Sequence, residues 1–98
     1  MRRTIIFRPA AEQELREAFE WYEERRTGLG TQFEGEVNRI LERVLDNPLT
    51  FPRVHGPLHR ALTRRFPYAL FYLLRPDRII VVAVFHGRRD PKIWQSRR

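Results

Sequence analysis

The apolar positions of this chain change period once, near its middle. Thr4-Ile5-Ile6-Phe7 is a short β-prone run. Arg8-Pro9 then marks a boundary, because proline suits the first position of a helix but not its interior. From there Ala11, Leu15, Ala18, Phe19 and Tyr22 recur at helical spacing and form one apolar face. Glu12, Glu14, Glu17, Glu20 and Glu24 take most of the other positions and read as a solvent face. Thr27-Gly28-Leu29-Gly30 breaks the helix. A second helix repeats the stripe with Phe33, Val37, Ile40, Leu41, Val44 and Leu45. Thr31 with Glu34 fits a capping box at its start, and Asn47-Pro48 ends it. So short a connection makes the two helices an antiparallel hairpin whose stripes face a common layer.

Beyond that point the helical spacing stops. Pro48, Pro52, Gly56 and Pro57 make residues 48–57 read as a loop. Arg60 to Thr63 reads as a strand, followed by a turn near Arg65-Phe66-Pro67. Tyr68 to Leu74 and Ile79 to Phe85 are nearly continuous apolar runs, as central strands are. Arg75-Pro76-Asp77-Arg78 supplies the reversal between them, with Pro76 preset for the second position of a type I turn. The expected fold class is α+β in the order β-α-α-β-β-β, with the helical hairpin on one face of a mostly antiparallel sheet. At 98 residues one domain with one core is expected.

Charge adds an asymmetry to this picture. Residues 1–47 hold 8 Lys+Arg against 10 Asp+Glu, a net of −2. Residues 48–98 hold 11 against 2, a net of +9, which together give the overall +7. Lys92 is the single lysine among the 19 basic residues. Arginine presents a flat fork of donors that matches phosphate and carboxylate. The sheet half is therefore suited to an acidic surface, whether RNA, DNA or an acidic protein. The chain has no cysteine, which excludes disulfides and thiolate metal sites. No apolar run approaches the ~20 residues needed to span a bilayer, so no membrane role and a cytoplasmic location are expected.

Three clusters carry candidate chemistry. Arg60 leads into Arg64-Arg65-Phe66-Pro67-Tyr68, His86-Gly87-Arg88-Arg89-Asp90-Pro91 follows the last strand, and Trp94 with Arg97 and Arg98 forms the tail. The meander can bring Arg60, Arg65, His86 and Arg88 to one sheet edge. Histidine is the side chain suited to moving a proton near neutral pH, which makes His86 a candidate proton carrier. The arginines can stabilise charge on a phosphate in transfer, and Phe66, Tyr68 and Trp94 can stack on unpaired bases. Each also fits a plainer role. His86 fits a structural hydrogen bond at a strand end, Phe66 and Tyr68 fit the core, and Trp94 fits a tail anchor. His55 and His59 lack a ligand-spaced acid, so no metal and no cofactor are expected.

Taken together, Leu15, Phe19-Glu20-Trp21-Tyr22, Gly28-Leu29-Gly30, Phe33, Asn47-Pro48, Arg60, Arg65-Phe66-Pro67-Tyr68, Tyr72 and His86-Gly87-Arg88-Arg89-Asp90-Pro91 with Trp94 resemble the RelE/ParE superfamily of toxins. The "RFPY" run and the "HGRRDP" tail are most similar to its ParE-type, plasmid-stabilisation branch. The resemblance implies the toxin of a type II toxin–antitoxin pair, neutralised by a cognate antitoxin with an acidic C-terminal segment. It implies one of two targets: DNA gyrase, poisoned without cutting, or mRNA on the ribosome, cut by an endoribonuclease. Under the nuclease reading His86, Arg60, Arg65 and Arg88 are the catalytic set. Under either, Arg60, Arg64, Arg65, Tyr68, Arg88, Arg89, Trp94, Arg97 and Arg98 are candidates for binding target or antitoxin. The chain departs from the nuclease pattern, having no lysine in residues 48–59 and no Asp or Glu between Asp46 and Asp77. A gyrase poison is therefore the favoured expectation, and a non-toxic nucleic-acid-binding module is a third reading.

Overall fold

A computed structural model describes residues 2–97. Strand β1 (Thr4–Phe7) leads into helices α1 (Pro9–Arg25) and α2 (Leu29–Asp46). A 3₁₀ turn (Pro48–Thr50) and strands β2 (Arg53–His55), β3 (Leu58–Leu62), β4 (Tyr68–Leu74) and β5 (Arg78–His86) follow, and a one-turn helix, α3 (Lys92–Gln95), ends the series. The sheet order is β1-β5-β4-β3-β2. β1 runs parallel to β5, and every other pairing is antiparallel. The α+β reading is correct in class, and the expected β-α-α-β-β-β order holds with β2 and α3 added.

Alternation along the strands sorts the apolar side chains into two clusters, one per sheet face. The helix-side cluster joins Ala11, Ala18, Phe33, Val37, Ile40 and Val44 of the hairpin to Ala61, Leu70, Tyr72, Ile79, Val81 and Val84 of the sheet. The opposite face gathers Leu58, Ala69, Phe71, Leu73, Ile80, Val82 and Phe85 under Trp94 of α3. Both faces of β4 and β5 are thus covered, which is why these strands are apolar without interruption.

Three local expectations are corrected. The capping box on Thr31 and Glu34 does not form, because α2 begins earlier, at Leu29. Glu23 of α1 caps it instead, accepting the Gly28 N–H at 2.8 Å and the Gly30 N–H at 2.9 Å. Gly28 holds φ at +91°, a left-handed conformation that favours glycine. A Cβ on Gly30 would lie 2.6 Å from the Phe19 carbonyl oxygen, so this glycine lets the helices touch. Residues 48–57 contain the 3₁₀ turn and β2, where Arg53 pairs with His59. A tight proline-rich hairpin fits at a sheet edge, where missing N–H groups are tolerated. Finally, β3 starts at Leu58 rather than Arg60.

Candidate functional site

Two grooves flank the end of β5, one on each face of the sheet. The first, about 400 Å³, lies between α1 and the strand ends and is lined by Glu14, Glu17, Trp21, Tyr22, Tyr68, His86 and Arg89 among others. The second, about 220 Å³, lies on the opposite face between β3, β4, β5 and α3, with Arg60, Leu62, Phe71, Phe85, Arg89 and Trp94 in its walls. Strand register decides which side chain serves which groove. Tyr68 pairs with His86 across β4 and β5, and their rings meet edge-on at 5.3 Å on the helix side. Arg60 pairs with Phe71, whose ring stacks on Trp94 at 3.8 Å on the other side. The sheet therefore stands between Arg60 and the His86 ring, although His86 borders both grooves at the rim.

His86 is already engaged. The backbone N–H of Arg88 donates to its Nδ1 at 3.0 Å, closing the turn after β5. In the neutral ring this fixes the proton on Nε2 and occupies the one free lone pair. Tyr68 lies against Tyr22 and Phe33, with its ionisation pushed up first by burial and then by the neighbouring Tyr22. Phe66 packs in the same aromatic group, 4.8 Å from Tyr22 and 5.3 Å from Phe33.

Several expected arginines are tied to helical carboxylates instead of gathering together. Arg65 points back to Glu36 of α2 at 3.7 Å, a carboxylate that is nearly buried and also approached by Arg39. Arg97 makes a two-pronged contact with Glu14, at 2.9 and 3.0 Å, and donates to the Val82 carbonyl at 3.0 Å. Arg89 approaches Glu14 at 3.8 Å and covers the Phe85 ring at 4.4 Å. No ion pair forms on Arg60, Arg64 or Arg88 among the described residues. Arg98 lies outside the described residues. Trp94, stacked on Phe71, anchors the tail. The second groove thus brings together Arg60, Arg89 and Trp94 with His86 at its rim, while Arg65 is held elsewhere.

Glu14 is the residue lining the first groove whose role the sequence pattern missed. Its periodicity puts it on a solvent face, yet the side chain is 10% exposed. The cause lies in β5. A register shift between Phe71 and Tyr72 makes Val82 an extra residue, a bulge. β1 ends at Phe7, so β5 beyond Val81 has no strand on that side and pairs only with β4. Glu14 accepts the Val84 N–H at 3.0 Å, and Arg97 takes the Val82 carbonyl. One carboxylate and one guanidinium replace the missing strand. Nothing in the sequence marks Glu14 apart from its neighbours; an acid on the helix beside an unpaired strand edge becomes legible once the register is known.

Groups of three or more His, Cys, Asp or Glu able to hold a metal are absent among the described residues. No described helix is long and apolar enough to cross a membrane. The family model of the ParE toxin of type II toxin-antitoxin system, parDE, matches residues 5–91. This chain belongs to the ParE toxin family. It is the toxin of a type II toxin–antitoxin pair, and its partner is a cognate antitoxin. The toxin's fold is similar to a solved chain titled "Chromosomal ParDE TA system from P. aeruginosa". That match has a TM-score of 0.74 at 8% identity and covers 86% of this chain and 95% of that one. At this identity the likeness is one of fold. No curated protein matches the toxin's sequence.

Proposed function

We propose that this toxin inhibits DNA gyrase without cutting nucleic acid, and that an antitoxin with an acidic C-terminal segment neutralises it in the cytoplasm. The observation that carries this reading is the placement of Arg60 and the His86 ring on opposite faces of the sheet. Cleavage by a ribose 2′-hydroxyl needs a proton carrier and a phosphate-binding cation within hydrogen-bond reach of one phosphate. Here the His86 ring lies against Tyr68 on the helix side of the sheet and Arg60 lies on the opposite face, although both border the second groove. The Arg88 N–H on Nδ1 adds to the argument, since it takes the lone pair a general base would use. In the second groove, the described lining residues include no carboxylate to act in its place.

A toxin that acts by binding needs surface rather than a reaction centre, and this chain supplies it. The +7 charge and the two grooves beside β5 offer contacts to acidic protein segments. Induced expression in cells tests the reading. A DNA-damage response with messenger RNA left uncut is expected. Growth arrest with ribosome-dependent mRNA cleavage and no damage response would overturn it in favour of the endoribonuclease.

A further inference from the structure

Arg60 is costly where it stands. It follows Leu58 on the same face of β3, and its Nε is buried with no hydrogen-bond partner. A buried donor without a partner destabilises the fold, and a leucine at this register would not. The fold does not explain the residue, but the groove does. Arg60, Arg89, Leu62 and Trp94 all line it. Leu62 is 56% exposed, a large apolar side chain left open beside a cation. Glu14 approaches Arg89 at 3.8 Å, whereas Arg60 has no ion pair among the described residues, and the described lining of this groove holds no acid.

An occupant matched to this groove brings a negative group for Arg60 and an apolar group for Leu62 close together. Nucleic acid brings phosphates with bases that require open aromatic faces. The aromatic faces here are already used: Trp94 is stacked on Phe71, and Phe71 and Phe85 are 3% and 2% exposed. Aliphatic walls with a guanidinium at one end suit a peptide in which a carboxylate neighbours an apolar side chain. We propose that this groove seats the acidic segment of the cognate antitoxin, with a carboxylate on the Arg60 fork and an apolar neighbour against Leu62. The proposal rests on the antitoxin reading above and adds the face and the anchoring residue.

Fluorescence anisotropy with a labelled octapeptide of alternating leucine and glutamate, at near-physiological salt, tests the seat. Arg60→Gln is expected to weaken binding roughly tenfold. Arg16→Gln removes the same charge from the outer face of α1 and is expected to weaken it less than about twofold. Equal losses, or no peptide binding to the parent protein, would overturn the proposal. So would Arg60-dependent binding of an oligothymidylate of equal charge more tightly than the peptide, which would make this a nucleic-acid face. Arg60→Leu removes the unpartnered donor, so it is expected to melt at or above the parent while losing the peptide; if it keeps the peptide, Arg60 is not the anchor. The product of the adjacent gene separates the two levels of the argument. If it binds parent and Arg60→Gln equally, the anchor is refuted and the antitoxin reading stands. If it binds neither, both fall.

Discussion

Replacing Glu14 with Gln tests whether one carboxylate holds the C-terminal segment to the sheet. The amide is isosteric and keeps an oxygen for the Val84 N–H, so packing and the bulge are preserved while the charge is lost. What disappears is the pair with Arg97, whose two contacts of 2.9 and 3.0 Å lie in a region where Glu14 is 10% and Arg97 22% exposed. Breaking a fully buried pair costs about 3–5 kcal/mol and an exposed one about 0–1. A partly buried, two-pronged pair whose acceptor is only weakened should cost about 2 kcal/mol. For a chain of this size that lowers Tm by about 8–16 °C. Circular-dichroism melts read the global loss. Hydrogen exchange reads the local one, with residues 91–97 gaining exchange before the strands do. Glu20→Gln on the exposed face of α1 is the control and should leave both unchanged. A Glu14→Gln protein that melts with the parent and keeps its tail protected would refute the latch.

Other consequences follow from the same contacts. Gly30→Ala should destabilise by about 2 kcal/mol, because overpacking against the Phe19 carbonyl outweighs the gain of about 1 kcal/mol in helix propensity; a melt at or above the parent would show that the helices can part without cost. Burial pushes the Tyr72 hydroxyl up to about 12 from 10.0, while it donates to the Pro48 carbonyl at 2.8 Å. The folded state then holds its proton more tightly than the unfolded state, so stability is full below pH 10 and falls as pH rises towards 12, by about 2 kcal/mol. In denaturant titrations across that window Tyr72→Phe should flatten the slope; an unchanged slope would assign it to another group. The cognate antitoxin, in excess over its Kd, should raise the toxin's Tm by mass action, and an unchanged melt of the mixture would count against the partnership.

The fold was legible because its elements rest on strong local signals. The stripe from Phe33 to Leu45 and the two apolar runs fix which segments are helix and strand. Pro9, Gly28 and Pro48 sit where the elements begin and end. The start of α2 was misread because its cap comes from Glu23, on another helix, and no window around Thr31 contains that information. The site was legible in composition and not in geometry. Counting arginines locates the basic half, but strand register puts Arg60 and His86 on opposite faces. Helical acids distant in sequence then draw away Arg65 and Arg97. Glu14 acquires its role from a bulge at Val82 and from the early end of β1. Both are properties of pairing between segments far apart in the chain.

Under the proposed function this toxin works by occupying gyrase and not by proton transfer of its own. Supercoiling of relaxed plasmid by purified gyrase, titrated with purified toxin, tests that most directly. Dose-dependent loss of supercoiling that added antitoxin reverses is the expected result. Full supercoiling at toxin levels that cut mRNA in a ribosome-containing extract would contradict it.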